Sequence, residues 1–124
     1  MSTANILIID DSKVMRDLLC DFLADEGYEV EATGDSYEGI HKGINGTYDI
    51  CICDIHLPDK NGYEIFTEIS SERPEIHFIL TDSLPDHLSE KAKEAGAYYH
   101  LKKPFELEQM REIIGKILNT VKTS

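Results

Sequence analysis

The sequence predicts an α/β protein, a parallel sheet with helices on both faces. Three observations lead there. Short β-branched apolar bursts recur along the 124 residues, helical apolar patterns fill the gaps between them, and conspicuous polar residues follow the bursts. Five strands alternating with five helices require right-handed crossovers and parallel pairing. Such sheets bind ligands at the carboxyl ends of their strands, where strand order reverses.

The first burst, Ile6 to Ile9, is continuous, as expected of a strand covered on both faces. It stops at Asp10-Asp11-Ser12. Ser12 suits an N-cap, and Met15, Leu18, Leu19, Phe22 and Leu23 then recur at helical spacing up to a stop at Gly27. Glu29 to Thr33 alternates and reads as a short strand nearer the sheet edge. Ser36 is expected to cap a second helix carrying Tyr37, Ile40 and Ile44, interrupted by Gly39 and Gly43. Ile50 to Cys53 is the next buried strand, ended by Asp54. Leu57-Pro58-Asp59-Lys60-Asn61-Gly62 is turn chemistry, and Ile65 and Ile69 mark a third helix. Ile76 to Leu80 forms strand four, ending at Thr81; Leu84, Leu88, Ala92 and Ala95 step by about a helical turn before Gly96. Ala97 to Leu101 is strand five, stopped by Lys102-Lys103-Pro104. Leu107, Met110, Ile114, Ile117, Leu118 and Val121 stripe the last helix.

Length argues for a single domain over residues 1–124, with its core at about residues 5–121. Apolar residues make up 41% and charged residues 29%, ordinary globular usage. Twelve basic side chains against 24 acidic ones leave a net charge of −12, which repels nucleic acid and anionic lipid and disfavours both as direct partners. Apolar runs are far shorter than the ~20 residues that cross a bilayer. Met1 to Asn5 lacks the start of a secretory signal, and three cysteines without one argue for reduced thiols in the cytoplasm. Cys51, Cys53 and His56 could suggest zinc, but a strand buried on both faces makes the cysteines core thiols, and no fourth ligand stands at tetrahedral spacing.

The polar residues after the strands are Asp10 and Asp11, Asp54, Thr81 and Lys103. If they converge, three carboxylates share one crevice. Two unit charges ~4 Å apart cost about 4 kcal/mol at an effective dielectric near 20, so a cation or a proton must be present. Hard oxygen ligands suit Mg²⁺. Lys103 adds a fixed positive charge and Thr81 a hydroxyl. With a divalent metal, this set stabilises a transferring phosphoryl group.

From about Asn5 to Val121 the sequence resembles a receiver domain (CheY-like) of the two-component response regulators. The residues carrying the resemblance are Ile8-Ile9-Asp10-Asp11-Ser12, Ile52-Cys53-Asp54-Ile55-His56-Leu57-Pro58 with Gly62, Ile79-Leu80-Thr81, Gly96-Ala97 and Lys103-Pro104-Phe105. It implies a doubly wound, flavodoxin-like (βα)5 three-layer sandwich with strand order 2-1-3-4-5. It also implies that Asp54 accepts a phosphoryl group from a sensor histidine kinase or phosphotransfer protein. Asp11 would hold Mg²⁺ directly, Asp10 mostly through water, with Asp54 and the His56 carbonyl completing the protein's share. Lys103 would pair with phosphoryl oxygens, and its bond to Pro104 would be cis. Thr81 would swing to the new phosphoryl group and bias the surface of helix four, strand five and helix five toward a downstream effector. The output is a signal; catalysis is limited to the domain's own phosphorylation and hydrolysis. Activated members often pair through that surface, which allows a homodimer here without requiring one. An end just past helix five fits either a stand-alone receiver or one cut from a longer regulator.

Two positions depart from the family's habit. Asp82 replaces the usual small residue after the switch hydroxyl; it either slows phosphorylation or alters phosphoryl lifetime by repulsion and bulk, or points into solvent as a turn residue. His100 stands where the family carries a Tyr or Phe that flips inward, and reads as a smaller aromatic toggle more readily than as a pH sensor. The rival reading is a pseudo-receiver, the same fold docking proteins without phosphorylation. A flavin protein would need a phosphate loop that Asp10-Asp11-Ser12-Lys13 cannot supply, and an aspartyl-phosphate phosphatase would need a second acid that Asp54-Ile55-His56 lacks.

Overall fold

The computed structural model describes residues 4–83, 87–97 and 99–123, with side chains described through Asn119. The elements are β1 (Asn5–Ile9), α1 (Lys13–Asp25), β2 (Glu29–Thr33), α2 (Ser36–Asn45), β3 (Ile50–Asp54), α3 (Gly62–Glu72), β4 (His77–Asp82), α4 (His87–Glu94), β5 (Tyr99–Lys102) and α5 (Leu107–Thr123). All strands pair in parallel, in the order β2-β1-β3-β4-β5. The doubly wound topology is therefore as expected. The packing of Leu84 and Val121 lies outside the described residues.

Strand alternation sorts the core into two layers. Ile6, Ile8, Ile50, Ile52 and Ile79 face α1 and α5, meeting Leu19, Leu23, Met110, Ile114 and Ile117. Leu7, Ile9, Cys51, Cys53, Phe78 and Leu80 face the other way, onto Ile40 of α2, Ile65, Phe66 and Ile69 of α3, and Ala92 of α4. Burial on both sides explains why the central strands are unbroken apolar runs. The three cysteines are free thiols, Cys51 and Cys53 within this core, where burial pushes both thiols up from their ordinary pKa. At the edge, β2 alternates exposed and half-buried residues before Thr33.

Several boundaries differ from expectation. Asp35, not Ser36, is the N-cap of α2: its carboxylate accepts from Glu38 N at 2.9 Å, while Ser36 is buried and donates to the Lys60 carbonyl at 3.2 Å. Gly39 and Gly43 do not interrupt that helix. They seat it: a Cβ at Gly39 would lie 2.7 Å from Ile9 Cδ1, and one at Gly43 2.5 Å from Ile69 Cδ1. Only hydrogens fit at those contacts. Asp54, Thr81 and Asp82 are the last residues of their strands rather than residues beyond them, because ladder bonds to the neighbouring strands extend that far. The fifth strand starts at Tyr99 rather than Ala97, whose N–H instead bonds Ala92 O of the preceding helix at 2.9 Å. Gly27 ends α1 as expected, at φ +95°, and Ser12 caps its start by accepting from Met15 N at 3.2 Å.

Candidate functional site

The carboxyl ends of β1, β3 and β4, and the turn after β5, meet beside the point where strand order reverses. There Asp10, Asp11 and Asp54 each bring a carboxylate oxygen within 4.8 Å of the others. Asp10 and Asp54 are only 3% and 5% exposed, and Asp11 faces solvent. Lys103 reaches in from the far side, its Nζ donating to Asp10 Oδ2 at 2.9 Å and to Asp54 Oδ2 at 3.2 Å. One ammonium against three carboxylates leaves an excess of negative charge in a half-closed crevice.

Each carboxylate is held by its own turn. Asp10 Oδ1 accepts from Ser12 N at 2.9 Å, so the residue that starts α1 also orients the acid before it. Asp54 Oδ1 accepts from His56 N at 3.1 Å. Burial holds the Asp54 carboxyl above its ordinary pKa, against the downward pull of the His56 N–H and of Lys103. Burial also works against the charge on Lys103, but its bonds to Asp10 and Asp54 outweigh that and raise its pKa. The ammonium is therefore fixed. Thr81 pairs in register with Asp54 on the adjacent strand. Its Oγ1 is buried with no hydrogen-bond partner among the described residues, which is uncommon for a buried hydroxyl. The Lys103–Pro104 peptide bond is cis, as the resemblance implied.

Two positions fall differently from the sequence reading. Asp82 does not point into solvent. It is 0% exposed, with Oδ1 2.9 Å from His56 Nε2 and Oδ2 accepting from the Ser89 hydroxyl at 2.7 Å. His56, expected to act through its carbonyl alone, thus also offers a ring. The half-buried His100 ring places Nε2 3.8 Å from Asp82 Oδ2, beyond hydrogen-bond distance, and burial lowers its pKa against the pull of Asp82. Sequence reasoning also missed Arg16, whose Nη1 donates to the Asp10 carbonyl at 2.8 Å and braces the first acidic turn from within α1. The only signal was its place one helical turn beyond the Ser12 cap.

The response regulator receiver domain family model matches residues 6–115. The DNA-binding transcriptional regulator NtrC of Azospirillum brasilense is 33% identical over 97% of this chain, which spans 25% of that relative's length. A receiver domain protein (CheY-like) from Methanospirillum hungatei superimposes with a TM-score of 0.91 at 30% identity, covering 99% of this chain and 100% of its own. The response regulator TrrA of Thermotoga maritima, solved in complex with Mg²⁺ and a beryllium fluoride, aligns with a TM-score of 0.84 at 30% identity, over 93% of this chain and 99% of its own.

Proposed function

Because the chain belongs to the response regulator receiver domain family of two-component systems, we propose that Asp54 is its phosphoacceptor. The observation that carries this reading is the convergence of Asp10, Asp11, Asp54 and Lys103 at one end of the sheet. A carboxylate oxygen of Asp54 attacks the phosphorus of a phosphohistidine on a sensor kinase or phosphotransfer protein. A P–O bond forms as the P–N bond breaks, and the departing imidazole keeps the electron pair and takes up a proton. Lys103 offsets charge on the phosphoryl oxygens, and the unpartnered Thr81 hydroxyl turns to donate to one of them.

The donor set fits Mg²⁺: hard oxygens, close together, with net negative charge. Asp11 and Asp54 would hold it directly, Asp10 mostly through water, and the His56 carbonyl would complete the set. The ion supplies charge neutralisation to carboxylates and phosphoryl oxygens alike. The phosphorylated domain then acts in the cytoplasm on an effector, within its own chain or on another, through α4, β5 and α5, and pairing of two copies is a natural output of that surface. Buried Asp82 favours one competing reading, a pseudo-receiver in which a resident anion stands where a small residue would admit phosphate.

Intact mass after incubation with acetyl phosphate separates the two. A single phosphoryl adduct, dependent on Mg²⁺, abolished by EDTA and absent from Asp54→Ala, is the expected result. No adduct, together with no binding of beryllofluoride, would establish the pseudo-receiver.

A further inference from the structure

The helix α4 is weakly rooted. It fully buries only Ser89 and Ala92, packs a half-buried Leu88 against the core, and its polar surface carries Glu90, Lys91, Lys93 and Glu94. Ser89 is held by a charge-assisted hydrogen bond to the buried Asp82 carboxylate, a stronger bond than a neutral one. The other oxygen of that carboxylate lies 2.9 Å from the ring of His56, whose backbone N–H donates to Asp54 at 3.1 Å. Four residues on three segments therefore form one continuous chain, Asp54 to His56 to Asp82 to Ser89. The backbone at Asp82 is pinned as well, its carbonyl accepting from Lys103 N at 2.7 Å.

We propose that Asp82 is a latch that seats α4 in the resting position and couples that seat to Asp54 through His56. The proposal rests on Asp54 being the phosphoacceptor. A phosphoryl group on Asp54 places a second anion one strand away from a fully buried one. It also draws on Thr81, the residue next to Asp82 in β4. Both effects oppose the arrangement in which Asp82 grips Ser89, so the grip belongs to the resting state and resists phosphorylation. A ligand and a bond that favour opposite states of one equilibrium weaken each other.

The test compares wild type with Ser89→Ala, which removes one hydroxyl from a helix without touching the acidic site. Asp82→Asn serves as a second variant that keeps an acceptor for Ser89 but loses the charge. Amide hydrogen exchange without ligand and beryllofluoride titration with Mg²⁺ are read by ¹H–¹⁵N NMR. In Ser89→Ala, α4 amides exchange faster while β1 and β3 stay protected, and beryllofluoride binds about tenfold more tightly, the worth of one charge-assisted hydrogen bond. Asp82→Asn shifts both readouts in the same direction. Unchanged α4 exchange, or unchanged or weaker beryllofluoride binding by Ser89→Ala, would overturn the latch. Faster α4 exchange with no beryllofluoride binding by wild type would instead defeat the phosphoacceptor reading, and the coupling with it.

Discussion

Helices α3 and α4 lie side by side on the same face of the sheet and are fastened by opposite means. α3 starts on a reciprocal cap, Asn61 and Glu64 each bonding the other's backbone, and sinks Ile65, Phe66 and Ile69 into the core. Phe66 meets Phe78 of β4 edge to face, with ring centroids 5.1 Å apart. α4 contributes only Ala92 and the half-buried Leu88 to that core, and adds polar attachments: Ser89 on Asp82, and Lys91 Nζ 5.7 Å from the centre of the Tyr63 ring. Apolar burial is non-directional, but in a close-packed core any shift of the helix opens a cavity. A bond to a buried anion is directional, and responds when another charge arrives. Under the proposed latch, α3 belongs to the scaffold and α4 to the part that moves.

The largest effect expected from breaking this comparison lies on the apolar side. Ile69→Ala opens a cavity under α3 and costs about 2–5 kcal/mol of global stability in urea unfolding. A loss confined to local α3 exchange would make α3 no more rooted than α4. Next comes the charged side. Mg²⁺ at a hundred times its Kd adds about 2.7 kcal/mol to the unfolding free energy, and EDTA removes the gain. In EDTA, Asp54→Asn melts above wild type because it deletes a buried charge; with Mg²⁺ that advantage narrows. Wild type melting identically with Mg²⁺ and EDTA would remove the metal from the account.

Gly43→Ala sharpens the comparison by asking how far the rigid half extends. Its Cβ would meet Ile69 Cδ1 at 2.5 Å, so the substitution is expected to cost about 1–3 kcal/mol, despite alanine's higher helix propensity. A stabilised variant would mean that α2 can shift away. The smallest effect concerns His100. Its folded pKa is lowered, chiefly by burial, so the unfolded chain binds the proton more readily. The stability it contributes is complete above its ordinary pKa of ~6.5 and is lost as pH falls through the lowered value. His100→Phe is therefore expected to lose less stability than wild type on acidification from about pH 7.5 to about pH 5.5, measured by urea midpoints. Equal losses would show that the His100 ring keeps its ordinary affinity for protons.

What could be read in the sequence was what is local or periodic. Ile6 to Ile9 and Ile50 to Cys53 announced buried parallel strands because both faces of each are covered. Asp10, Asp54 and Lys103 were legible because a parallel sheet gathers its strand ends on one side, whatever the loops do. The Asp82 contacts were not legible. His56 is 26 residues before Asp82 and Ser89 seven after it, and only the pairing of β3 with β4 and the return of α4 bring the three together. Gly39 and Gly43 misled for a similar reason. Their low helix propensity is a property of the isolated segment, whereas their use is a contact with Ile9 and Ile69 from elsewhere in the chain.

The glutamates of β2 carry a last consequence. Glu29 and Glu31 are both exposed on the strand that borders the sheet. A second copy adding its own β2 in the same plane would set these acids against their duplicates as the backbones zipped together. Like charges guard a free edge against runaway growth. These acids thus work against extension of the sheet past β2 into a neighbouring copy.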